Sequence, residues 1–262
     1  MKPAAALAAG LLLGGCATAS VPVGTLVPTA GYLDAAARDA VITSTGAPPP
    51  APAFRSGNLQ PSVEGMDRWW LATAHAELRP PEAAQHFDCI LGTRLTEHAR
   101  PALTRLMTRL LADSDAVTRR LGELHPRRRP MAVNPDPQTC QRTDAATRDS
   151  PSWPAAGAVA GAVYGEMFAA LVPDQAEALR VRGDDIGLSR WVCRMNGSTD
   201  VEDGLRVGRR VYVRATETPD FAVDLEAARA EVAAARAEGL THPGCAAERR
   251  ALGPSPVRPD AG

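Results

Sequence analysis

Aromatic residues make up only 4% of the 262 in this chain. A β-sandwich core draws on aromatic and β-branched side chains, whereas the abundant Ala, Leu, Arg and Glu here favour helices packed by small and aliphatic groups. An excess of charge of one sign is missing too. A net charge of −1, with no basic stripe interleaved with aromatics, gives no basis for a nucleic-acid partner. Cysteine is sparse and no Cys-x2-Cys pair occurs, so a zinc site is not expected, nor any other metal or cofactor. No strand-period run is long enough to build a sheet, and no internal repeat is visible. The remainder, 45% hydrophobic and 23% charged, is the composition of one globular domain with tails.

The first residues read as a processing signal. Met1-Lys2 precedes an apolar run, Ala4 to Leu13, too short to span a bilayer. It ends in Leu13-Gly14-Gly15-Cys16, which resembles the lipobox of bacterial lipoproteins. That resemblance implies cleavage before Cys16 and lipidation of the cysteine, with the bilayer as partner. Ala17, which is not an aspartate, implies an outer-membrane address facing the periplasm. Export implies an oxidising compartment. Cys89, Cys140, Cys193 and Cys245 then form an even set with three possible pairings.

The expected organisation is a signal peptide over 1–15, a Pro/Ala-rich tether over 16–60, a helical domain over 61–240 and a Pro-rich tail over 241–262. Helices are expected over Met66–Leu78, Pro81–Leu91 and about 98–123, the last from apolar residues at three- and four-residue steps. A polar loop follows, Met131 to Trp153. Ala155 to Val172 is long enough for a membrane span, but its residues are mainly Ala and Gly and it contains Glu166, so it reads as a buried central helix. Gly157, Gly161 and Gly165 mark a close helix crossing within the domain. Asp174 is expected to cap a helix to about Met195, and Ser198 or Thr199 another through Tyr212. Thr218-Pro219 starts a last helix that Gly239 stops.

One stretch carries chemistry. Ser189-Arg190-x5-Asn196-x3-Asp200 has the frame of a phosphohistidine site, Ser-Arg-x5-His-x3-Asp, with Asn196 where the histidine belongs. In that frame the arginine holds a phosphate, the imidazole attacks phosphorus and the aspartate orients the ring. An amide nitrogen cannot substitute, because its lone pair is delocalised into the carbonyl. Upstream, Arg127-Arg128-Arg129-Pro130 fits the end of Lys-x4-Arg-x-Arg-Pro.

Together these motifs resemble the bacterial class A acid phosphatases of the PAP2 superfamily, and the likeness runs from about Gly31 to Gly239. It includes Tyr32-Leu33-Asp34, Pro101-Ala102-Leu103, Thr139-Cys140, and the stretches Val201–Val211 and Pro219–Gly239. It implies a compact all-α multi-helix bundle with irregular extensions at both ends. It also implies a phosphate site of Arg127, Arg129 and Arg190, with Asp200 as the orienting residue. The family lysine falls on Gly122, and the acid histidine of Tyr-Pro-Ser-Gly-His falls on Gly157 in Trp153-Pro154-Ala155-Ala156-Gly157. A second register through Pro151-Ser152-Trp153-Pro154 lacks the histidine too. No catalytic residue is therefore intact. The arginines either hold a phosphate or other small anion, or pair with Asp200, Asp184 or Glu123; Arg128 and Arg194 are expected to add positive charge. Cys140 and Cys193, beside the motifs and at family positions, are expected to pair, leaving Cys89 with Cys245. The reading is a catalytically inactive, anion-binding or structural envelope lipoprotein. The alternative is an active divergent acid phosphatase using another nucleophile, such as His125 or an activated water.

Overall fold

The run from Ala155 to Val172 becomes a central helix, Ala156–Leu171, wrapped on all sides by other helices. The computed structural model describes residues 30–50, 63–134 and 138–253. The signal peptide, Cys16 and the last residues of the tail lie outside the described residues. Eleven α-helices are found among them and no strand: α1 (Ala35–Thr45), α2 (Asp67–Ala74), α3 (Asp88–Leu91), α4 (Pro101–Leu124), α5 (Pro130–Val133), α6 (Ala145–Asp149), α7 (Ala156–Leu171), α8 (Ala176–Val192), α9 (Ser198–Thr216), α10 (Pro219–Glu238) and α11 (Cys245–Leu252).

α7 meets α4, α8, α9 and α10. Val159, Val163, Tyr164, Met167 and Phe168 on it are fully buried, which accounts for its lack of a polar face. Its glycines let α8 approach at backbone distance. A Cβ placed on Gly161 would lie 2.5 Å from the Gly183 carbonyl oxygen, and one on Gly183 equally close to that of Gly161. No helix among the described residues is long and apolar enough to cross a membrane. α4 starts with Pro101 in its first turn and buries Leu103, Leu106, Met107, Leu110, Val117 and Leu121 along one face. Gly239 ends α10 in the left-handed conformation, φ 66°.

Several boundaries differ from those the sequence suggested. α2 is shorter than expected. The Pro81–Leu91 stretch is a 3-10 turn, Glu82–Phe87, followed by α3. Asp174 caps nothing: it sits in a 3-10 turn, Pro173–Gln175, and its carboxylate pairs with Arg236 at 2.9 Å. α9 runs on to Thr216, and the polar loop contains α5 and α6.

The stretch assigned to tether holds part of the body. The Asp34 side chain caps α1 by accepting from the Ala37 amide at 2.8 Å. The amides of Tyr32 and Leu33 donate to the buried carboxylate of Asp113 at 2.6 and 3.2 Å. The Tyr32 hydroxyl donates to Asp224 at 2.7 Å, and its ring lies under the Arg109 guanidinium, 4.0 Å from the centroid. These partners are more than 75 residues away, so no local pattern announces them. The tail too is partly built in: α11 packs on α2, and the Cys89–Cys245 disulfide ties it to α3.

Candidate anion site at the start of the central helix

Four helix ends converge at one place: the C-terminal ends of α4 and α8, and the N-terminal ends of α7 and α9. The loop after α4 delivers Arg127 and Arg129, α8 delivers Arg190, the turn after it Asn196, and α9 Asp200. Helix N-termini carry unsatisfied amides and partial positive charge, so two positive dipole ends face a cluster of arginines. No side chain caps α7.

Asp200 organises the junction. One carboxylate oxygen accepts from Arg127 Nη1 at 2.5 Å; the other accepts from Ser152 Oγ at 2.6 Å and the Gly197 amide at 3.1 Å. Its backbone carbonyl accepts from the Ala155 amide at 2.9 Å, joining the starts of α7 and α9. Arg127 also reaches Thr199 Oγ1 and the Pro49 carbonyl. The Asn196 amide nitrogen donates to the Ser152 carbonyl at 2.6 Å, while its Oδ1 is buried with no partner among the described residues.

Arg129 and Arg190 differ from Arg127 in having no carboxylate. Arg129 donates to Ser150 Oγ at 3.0 Å and the Met195 carbonyl at 2.9 Å. Arg190 donates from Nη1 to Gln141 Oε1 at 2.9 Å, and its buried Nε finds no partner among the described residues. Burial, and secondly the neighbouring Arg129, pull the pKa of Arg190 down to about 10, so it remains a cation at neutral pH. Burial likewise lowers Arg129, with Asp200 acting the other way. Part-buried guanidinium groups with only neutral oxygen partners lose hydration without a compensating charge, and an incoming anion supplies that charge.

Gly157 lies directly beneath Arg190. A Cβ there would sit 2.5 Å from Arg190 Cδ, so any side chain at 157 requires Arg190 to move. Gly122 is close against the 151–153 segment, where a Cβ would lie 3.0 Å from Pro151 Cβ and 3.4 Å from the Trp153 carbonyl oxygen. Beyond Gly157 a groove of about 540 Å³ opens, bordered by Ala156 and Ala160 of α7, Gln141, Asp115 and Glu77 among others. Gln141 belongs both to this groove and to Arg190.

Arg127, Arg129, Arg190, Asn196, Asp200, Gly157 and Gly122 are thus brought together, and two other expectations about charge need correction. Arg194 pairs with Glu64, and Arg128 turns to the Ala132 carbonyl at the surface, so neither adds to the site. Asp184 and Glu123 are engaged elsewhere, by Arg209 and Arg120. His125 ends α4 with its ring edge-on to Trp153 at 5.7 Å. Ser189 points away from the site, bonding Arg68 on α2 and His75 just after it. Gln141, Ser150 and the tie from Ser152 to Asp200 were not anticipated from the sequence. Proximity of Gln141 to Cys140 was the available signal, since the Cys140–Cys193 disulfide sets that loop beside α8. Among the described residues the cluster with metal-ligand spacing is Cys89, His242 and Cys245. Its two sulfurs are joined as a disulfide and offer no thiolate.

No protein-family model matches the chain. It is 27% identical over 199 residues to an acid phosphatase of Zymomonas mobilis subsp. mobilis, spanning 76% of this chain and 75% of that one. It is 25% identical to a non-specific acid phosphatase of Salmonella typhimurium (65% and 69% spanned), and 24% identical to one of Providencia stuartii (88% and 98%). The all-helical bundle agrees with that kinship. These relatives and the all-helical bundle support kinship with the class A acid phosphatase family.

Proposed function

We propose that this chain is an anion-binding protein of the cell envelope, holding phosphate or a similar small anion between Arg129, Arg190 and the start of α7, without turning over phosphomonoesters. The observation that carries the reading is the pair of part-buried guanidinium groups that hydrogen-bond to neutral partners, with the Arg190 Nε buried and unpartnered among the described residues. Guanidinium forks match phosphate oxygens in geometry and charge, and the uncapped α7 start adds amide donors.

The absence of turnover is argued from the chemistry of the residues present. Asn196 presents an N–H donor to Ser152 and has no nucleophilic lone pair there. Gly157 has no proton to give, and Lys2 is the sole lysine in the sequence, so no other lysine takes the place expected at Gly122. Loss of a general acid removes about 10²–10⁴ of rate, and loss of a covalent nucleophile about 10⁶.

Calorimetric titration of the full-length chain with inorganic phosphate should show binding that disappears in Arg190→Ala, while a generic aryl phosphate is not hydrolysed. Absence of phosphate binding would sink the reading. The names of the relatives favour a second reading, an active divergent acid phosphatase with another nucleophile. Hydrolysis of the aryl phosphate that is lost in His125→Ala would establish it. For the anchor, Leu13-Gly14-Gly15-Cys16 supports lipidation at Cys16 and attachment to the outer membrane on its periplasmic side. Envelope fractionation tests it: Cys16→Ser should release the protein from the membrane fraction.

A further inference from the structure

The groove beyond Gly157 has walls of unequal charge. Gln141 and Gly157 on its border adjoin Arg190. Asp115 of α4, Glu77 and Arg79 stand on its border as well. Glu77 is neutralised by its own neighbour, Arg79, which bonds both of its oxygens at 3.0 and 2.8 Å. Asp115 has no hydrogen bond or ion pair among the described residues.

Asp115 borders the same groove as Gly157 and Gln141. It precedes Gly122, which touches the 151–153 segment, by seven residues of α4, or about 10 Å along the helix axis. A ligand with its phosphate on Arg190 and an alkyl chain of a few atoms in the groove would carry its far end toward Asp115. The groove therefore complements a molecule that is anionic at one end and cationic at the other.

We propose that Asp115 is a specificity-determining residue, and that the groove selects phosphomonoesters of amino alcohols, with the ammonium group received by Asp115. The inference rests on the anion-binding reading above. It assigns the organic half of the ligand, about which Arg129 and Arg190 say nothing. A partly solvent-screened ion pair of this kind is worth about three- to tenfold in affinity.

Three probes separate the possibilities by calorimetry on the full-length chain: inorganic phosphate, ethyl phosphate and 2-aminoethyl phosphate. Expected is a preference of about three- to tenfold for 2-aminoethyl over ethyl phosphate. Asp115→Asn should bring the two esters level and leave inorganic phosphate unchanged, and Asp115→Lys should reverse their order. Asp115 is solvent-exposed on α4, so these variants retain the fold. Equal binding of both esters by the unmodified chain overturns this assignment while leaving the anion site standing, as does a preference that survives in Asp115→Asn. Failure of all three probes to bind removes the anion reading and this inference with it.

Discussion

Where α4 meets α10, Asp224 takes Arg105 at 2.8 Å, Arg109 at 3.1 Å and the Tyr32 hydroxyl, and Asp220 supports Arg109 from the next turn. Where α8 meets α7, Arg129 and Arg190 lie together with a serine, an amide and a carbonyl for company. Both regions use arginine to join distant segments, but one is electrically closed and the other open. An arginine kept for structure gains from a carboxylate partner. An open pair is costly unless something else supplies the charge. Arg127, bonded to Asp200, marks the boundary between the two plans at the site itself.

The largest effect should come from opening the closed side of the site. Asp200→Ala strands Arg127, Ser152 and the Gly197 amide together. It should cost about 3–5 kcal/mol in urea unfolding, whereas Arg190→Met, which removes an uncompensated cation, should cost far less. Comparable losses from the two substitutions would erase the distinction.

The next effect concerns pH. His75 and His86 are buried beside Arg68 and Arg182, and burial is the main cause holding both pKa values below the ordinary 6.5. The folded state therefore resists protons that the unfolded chain accepts. Stability is highest above pH 6.5 and falls as pH drops below it, by up to about 1.4 kcal/mol per pH unit for each ring. Thermal melts from pH 7 to pH 5 should show this decline, shallower in His75→Gln.

Closing the open pair sharpens the comparison further. Gln141→Glu gives Arg190 the carboxylate it lacks. It should stabilise the fold by about 1 kcal/mol and weaken phosphate binding at least tenfold by occupying the guanidinium. Gln141→Ala should do the reverse to binding, raising phosphate affinity. Unchanged phosphate binding in Gln141→Glu would show that the anion goes elsewhere.

The smallest effect lies at the surface. The bonds from Arg79 hold Glu77 down to about 2, yet both side chains are solvent-accessible and screened. The contribution is present above the ordinary carboxylate value of 4.5 and fades as pH falls toward about 2. At pH 7, Glu77→Gln should leave the unfolding midpoint unresolved from that of the parent.

Much of the helical plan was legible. α4, α7 and α10 announce themselves by periodicity, a continuous apolar run, and the Thr218-Pro219 and Gly239 signals, because each depends on residues within a few turns. The motif arginines, Asp200 and Asn196 were legible for a different reason: their spacing along the chain resembles that of a known family. The docking of α1 was not, since Asp34 is a local cap but Asp113 and Asp224 are far along the sequence. Gln141 escaped notice because a lone glutamine in a polar loop has no pattern of its own.

The amino-acid order by itself determined that this protein is a bundle of helices, which of them is innermost, and which charged residues belong to one motif. Those are consequences of short-range sterics and of hydrophobic spacing, both written in neighbouring residues. Only the tertiary structure decided which arginines meet a carboxylate and which do not, and that Gln141 and Asp115 face one groove. Coulomb interactions act through space between segments the chain holds far apart, and their partners exist only once the helices have packed.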